Sequence, residues 1–118
     1  MAIMRIMPYL HGDFEAVKDF YVDALGLEVA MDSEHFLGLR SAEHRQVQLV
    51  VSAPGVEQPL PHMGIDLGTP EAVNAAHAAS LERGLEVVYG PTDEPWGIYR
   101  CFVRDPTGKV VSLLARRA

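Results

Sequence analysis

An internal repeat constrains this chain more than any other feature. GDFEAVKDFYVDALGLEVA runs from Gly12 to Ala30, and GTPEAVNAAHAASLERGLEVV runs from Gly68 to Val88. Both read Gly-x-x-Glu-Ala-Val, then a helical stretch, then Gly-Leu-Glu-Val. Glu15 aligns with Glu71 and Gly26 with Gly84, so the second helix is the longer by two residues. One shared tripeptide is within the reach of chance, but two motifs in the same order around the same kind of element point to duplication. Two copies are too few for a solenoid, which needs at least three. They suit a pseudo-symmetric domain built from two half-modules.

Each half parses alike. Asp13 can cap the first helix, whose apolar residues Phe14, Val17, Phe20, Tyr21, Ala24 and Leu25 recur at helical spacing. Gly26 stands where a helix ends. The second helix starts with Thr69 as cap, Pro70 in the first turn and Glu71 near the positive end of the dipole, and Gly84 stops it. Strand-like runs flank the helices: Ile3–Met7, Leu27–Met31, His35–Arg40 and Gln46–Ser52, then His62–Leu67, Leu85–Tyr89, Ile98–Arg104 and Lys109–Leu114. The order is β-α-β-β-β, twice. Residues 1–118 read as a single domain with half-modules 1–53 and 62–118. The linker, 54–61, lies in the Pro- and Gly-rich SAPGVEQPLP. Consecutive strands joined by short turns should pair antiparallel. Each helix then covers one sheet face and leaves the other for a ligand or a partner.

Composition narrows the function classes. The net charge is −6 and the basic residues are scattered, apart from Arg116–Arg117. Nucleic-acid binding needs clustered Lys and Arg, and an acidic field disfavours anionic membranes, so neither partner is expected. No apolar run approaches the length of a membrane span. The opening MAIMRIMPYLHGD lacks the pattern of a signal peptide. One cysteine, Cys101, cannot form an intramolecular disulfide. A cytoplasmic location is the expectation.

The closing stretch DEPWGIYRCFVRDPTGKVVSLL, Asp93 to Leu114, reads as a hairpin. Pro106 presets φ and Gly108 can take the left-handed conformation. A three-residue loop with a glycine bulge sets Asp105 opposite Lys109, Phe102 opposite Ser112 and Arg100 opposite Leu114. Arg100, Phe102, Val110, Ser112 and Leu114 then share one face, with Cys101 towards the helix. A two-residue loop would slip the register by one and bring Cys101 and Tyr99 beside Ser112.

Paired β-α-β-β-β modules, DFYVDALGLEV after a first strand, and WGIYRCFVRDPTGKVVSLL at the end resemble the vicinal oxygen chelate superfamily. That family includes glyoxalase I, extradiol dioxygenases, methylmalonyl-CoA epimerase, fosfomycin resistance enzymes and bleomycin resistance proteins. The resemblance covers nearly the whole chain. It implies an α+β fold of two βαβββ modules whose mixed and antiparallel sheets form a cup. In metal-dependent members, the first and last strand of each half supply four positions that hold the ion. Carried over through the repeat, those positions are Ile6, Gln48, His62 and Ser112. Isoleucine cannot ligate and a serine hydroxyl is a weak neutral donor, whereas zinc, iron and nickel sites want imidazole, carboxylate or thiolate. Asp66, on the same strand face as His62, is roughly 13 Å away at about 3.3 Å per residue. No catalytic metal is therefore expected, although Zn, Ni, Mn or Fe held by His62, Gln48, water and a partner-chain residue stays open.

The resemblance thus implies a small-organic-molecule binder of the bleomycin-resistance type. Its cleft would be lined by Gln48, His62, Asp66, Arg100, Phe102 and Ser112, with Trp96 at the mouth. It also implies a homodimer. The alternatives are a metal-dependent lyase, isomerase or dioxygenase of the glyoxalase type, and metal-free acid–base catalysis by His62 or Asp66; no catalytic residue is assigned. Each residue has a plainer reading beside the functional one. His62 is either a polar anchor or an inert relic, and Arg100 either receives an anion or pairs with Asp66 or Glu94. Trp96, Tyr99 and Phe102 either stack on a ligand or pack the core. His11, His35, His44 and His77 form no HxH or HExxH spacing. Cys101 reads as an inert buried thiol.

Overall fold

The computed structural model describes residues 1–46, 48–57 and 59–117. The chain folds into two compact units, one of residues Met7–Gln58 and the other of Met1–Ile6 with Pro59–Ala118. Its elements run β1 (Arg5–His11), α1 (Phe14–Lys18), a π-helical turn (Asp19–Ala24), β2 (Glu28–Asp32), β3 (Phe36–Arg40) and β4 (Gln48–Ser52). They continue with β5 (Met63–Asp66), α2 (Pro70–Glu82), β6 (Val87–Asp93), β7 (Ile98–Arg104) and β8 (Val110–Arg116). The doubled β-α-β-β-β order is as the repeat implied, and the α+β class as the family resemblance implied. No helix among the described residues is long and apolar enough to cross a membrane.

In the unit of residues 7–58, the strands lie in the order β2-β3-β4-β1. β3 pairs antiparallel with both neighbours, while β1 runs parallel to β4, from Tyr9 opposite Val50 to His11 opposite Ser52. That pairing carries β1 through Pro8 to His11, past the expected end at Met7. Asp13 caps α1 by accepting from Ala16 N at 3.0 Å. Beyond Lys18 the helix widens, and Leu25 N donates to Phe20 O at 3.0 Å. The wider turn changes the phase of the side chains. Tyr21 and Val22 pack with Phe14 and Val17 on Leu37, Leu39 and Val51. Phe20 is 53% exposed and Leu25 is exposed as well, so the periodic apolar set is only partly buried.

In the other unit the order is β5-β8-β7-β6. β5 is parallel to β8, with Gly64 opposite Ser112 and Asp66 opposite Leu114. Thr69 caps α2 by accepting from Ala72 N at 3.1 Å. α2 lays Val73 and Ala76 on Cys101, Val103, Val111, Leu113 and Ala115. Burying a valine or leucine of this set contributes about 1.5–3 kcal/mol. β6 continues through Pro91 to Asp93, with register shifts against β7 between Tyr89 and Thr92.

The β7–β8 hairpin takes the three-residue loop. Asp105 N donates to Lys109 O at 2.8 Å, Gly108 N donates to Asp105 O at 2.9 Å, and Gly108 has φ 88°. The Asp105 carboxylate accepts from the Thr107 hydroxyl and from the Thr107 and Lys109 amides. The Thr107 hydroxyl is the main reason its carboxyl group titrates below the usual range. Pairing is Phe102 with Ser112 and Arg100 with Leu114, so the slipped register does not occur. Gly108 has open space around an added Cβ, whereas at Gly90, φ 74°, a Cβ would stand 2.7 Å from Arg100 O. Gly108→Ala should therefore cost about 1–2 kcal/mol, the backbone penalty alone. Gly90→Ala should cost more, which urea denaturation of the two variants would show.

Candidate functional site

The hairpin register divides the unit of residues 1–6 and 59–118 into two sheet faces. One faces α2 and is apolar. On the other, Arg100, Phe102, Val110, Ser112 and Leu114 stand together and all are buried. β6 adds Tyr89 opposite Phe102 and Thr92 opposite Arg100. Directly after β6 come Glu94 and Trp96, in a turn closed by Gly97 N donating to Glu94 O at 3.1 Å.

The centre of this face is an ion pair. Arg100 Nη2 and Nε donate to Glu94 Oε2 at 2.7 and 3.0 Å, and the two side chains are only 8% and 7% exposed. Tyr89 Oη donates to Glu94 Oε1 at 2.7 Å, which raises the Tyr89 pKa above its ordinary value and keeps the phenol a donor. Three rings surround the guanidinium: the Arg100 Cζ lies 4.7 Å from the centroid of Phe102, 5.3 Å from Trp96 and 5.7 Å from Tyr89. Cation–π attraction strengthens when the charge is desolvated, as here. Trp96 is 51% exposed and is the outward member of the set.

Ser112 is 0% exposed, and its Oγ has no hydrogen-bond partner. Its strand neighbours across β7 and β5 are Phe102 and Gly64, neither with a polar side chain. A buried hydroxyl without a partner costs about 1–3 kcal/mol.

Register puts Asp66 on this same face, opposite Leu114. Asp66 is engaged: Oδ2 accepts from Arg5 Nε at 2.9 Å and Oδ1 from Gly68 N at 3.0 Å. His62 precedes β5 with an exposed side chain, while its N–H donates to Val110 O at 2.8 Å. Gln48 belongs to the unit of residues 7–58, where its amide donates to Arg45 O at 3.0 Å. Cys101 is fully buried under α2, and burial pushes its thiol up to about 11. In the sequence, Glu94 stands out only as a plain partner for Arg100, and Tyr89 only as a strand residue. Their joint role follows from the lengthened β6 and has no local sequence signature.

The donor chemistry for a metal is poor. Ile6 is apolar and largely exposed, and Ser112 is enclosed by an apolar row. Only His62 is a strong ligand among the four implied positions. Among the described residues, no three His, Cys, Asp or Glu side chains group as a metal site would require.

The family model of the Glyoxalase/Bleomycin resistance protein/Dioxygenase superfamily matches residues 4–113. No curated protein sequence matches. The chain is similar to homoprotocatechuate 2,3-dioxygenase from Brevibacterium fuscum, with 30% identity and a TM-score of 0.72 over 98% of this chain and 33% of that one. The complex of that enzyme with 3,4-dihydroxyphenylacetate gives the same identity and TM-score, with 37% of its chain covered. The chain therefore spans about a third of the dioxygenase it matches. NAD-dependent benzaldehyde dehydrogenase from Legionella pneumophila shares the fold, with a TM-score of 0.76 at 16% identity over 95% of this chain and 97% of that one.

Stability and reactivity measurements check the energetics of the two faces. Arg100→Met leaves Glu94 buried without its cation and should cost about 3–5 kcal/mol. Arg104→Met, at the exposed pair with Glu86, should cost under about 1 kcal/mol. Ser112→Ala should raise stability by about 1 kcal/mol, because it removes an unsatisfied group and leaves little space. Cys101 should resist alkylation at pH 8 in the native protein and react fully in denaturant, as mass spectrometry would show.

Proposed function

The chain belongs to the glyoxalase/bleomycin resistance protein/dioxygenase superfamily, and on that premise we propose that it binds a small organic molecule without a catalytic metal. The ligand would lie on the face that carries Trp96, Arg100, Phe102 and Ser112. One observation carries this reading: the position where metal-dependent relatives would place a last-strand ligand is a buried serine whose hydroxyl has no partner. A side chain selected for packing alone would be alanine or valine there, because an unsatisfied hydroxyl works against stability. The strand keeps its register and its turn, while the carboxylate that metal chemistry would want is missing. The half-exposed ring of Trp96, against the Arg100 guanidinium, offers a flat apolar surface. His62 and Asp66 remain proposed as further polar groups of the ligand site, and so does Gln48 in its own unit.

The second reading is a metal-dependent lyase, isomerase or dioxygenase. The 30% identity to an extradiol dioxygenase favours it. The two readings differ in metal content. Protein purified without chelator should carry well under one equivalent of Zn, Ni, Mn or Fe by elemental analysis. A stoichiometric ion that disappears in His62→Ala would decide for the enzyme. We also propose a homodimer, from the family resemblance alone; sedimentation at micromolar concentration should give twice the 13.0 kDa chain mass.

A further inference from the structure

We infer that the ligand of this face is an uncharged molecule with an apolar body, and that it exchanges one hydrogen bond with Ser112 Oγ. This rests on the binding reading above and adds the chemical class of the ligand. Charge complementarity supplies the first part. Arg100 and Glu94 are paired and nearly fully buried. An anion that took Arg100 would leave the Glu94 carboxylate buried without its cation, and a cation that took Glu94 would strand the guanidinium. Tyr89 reinforces the pair by donating to the second carboxylate oxygen. The rings of Phe102, Trp96 and Tyr89 hold the guanidinium in place. Charged ligands are thus rejected by the cost of breaking a pair that already exists.

The second part comes from Ser112. Its hydroxyl both donates and accepts, so it suits an alcohol, a carbonyl or an ether equally. It is the only buried side-chain polar atom without a partner among the described residues. A molecule that supplies one polar atom there gains the hydrogen bond that the protein itself omits, while a purely apolar molecule leaves the hydroxyl unsatisfied. Ser112 is covered in the free protein, so the ligand must displace part of the cover. Trp96, on the Glu94–Gly97 turn, is the half-exposed member of the ring set, 5.3 Å from the Arg100 guanidinium. It is also the only tryptophan in the chain, so its fluorescence reports on the site directly.

The test uses the full chain and four probes with one ring in common: benzyl alcohol, benzoate, benzylammonium and toluene. Binding is read by Trp96 fluorescence and by equilibrium dialysis at pH 7. Benzyl alcohol should bind about tenfold more tightly than benzoate or benzylammonium. In Ser112→Ala, its affinity should fall about five- to tenfold to that of toluene, while toluene binding holds steady. Thermal unfolding confirms that the variant is folded. Benzoate or benzylammonium binding as tightly as the alcohol would overturn the uncharged class and leave the binding reading standing. Equal effects of the substitution on benzyl alcohol and toluene would overturn the role of Ser112. Failure of all four probes to bind the folded protein would sink the binding reading itself.

Discussion

The pairing of Asp105 with Lys109 across a three-residue turn decides the character of everything around it. It fixes the phase of β7 against β8, and side chains alternate faces along a strand. Slipping that pairing by one residue would send Cys101 and Tyr99 to the face of Ser112 and turn Arg100 towards α2, where Val73 and Ala76 offer it no partner. The turn is held by backbone bonds at both ends of the loop and by the Asp105 carboxylate, which accepts three hydrogen bonds. Local chemistry in a short segment therefore determines which long-range contacts exist.

The two faces of that sheet solve opposite problems. Against α2, most contacts are apolar, with one hydrogen bond from the Tyr99 hydroxyl to Asn74 Oδ1, and the one thiol there is neutral because burial disfavours its charged form. The other face buries a cation and an anion that are paired with each other, and a phenol donates to the second carboxylate oxygen. An apolar replacement of similar volume could be as stable. Retaining a buried pair beside an unsatisfied hydroxyl is the pattern expected where packing is not the sole demand on the residues.

Much of this is legible in the amino-acid sequence. The duplicated motifs, the two helix starts and the hairpin all depend on short-range chemistry: Asp or Thr at a cap, glycine at positive φ, proline at a turn. Arg100, Phe102 and Ser112 fall on one face because a turn type fixes a register. What escapes depends on tertiary context. The widening of the first helix after Lys18 moves Phe20 out of the core, and apolar spacing alone does not distinguish a π turn from an α turn. The extension of β1 through Pro8 follows from its pairing with β4, and that of β6 through Pro91 from its pairing with β7. The latter brings Glu94 to Arg100, which is why Glu94 looks ordinary in sequence. Strand alternation likewise does not show that the Asp66 carboxylate accepts from Arg5 Nε and Gly68 N.

Placing the single cysteine and the single tryptophan on either side of one strand system has a practical corollary. Cys101 becomes reachable only when α2 leaves the sheet, an event close to unfolding of that unit. Trp96 reports on the opposite face, where its ring lies against the Arg100 guanidinium. Two native side chains thus separate a local opening from a global one, with no label introduced.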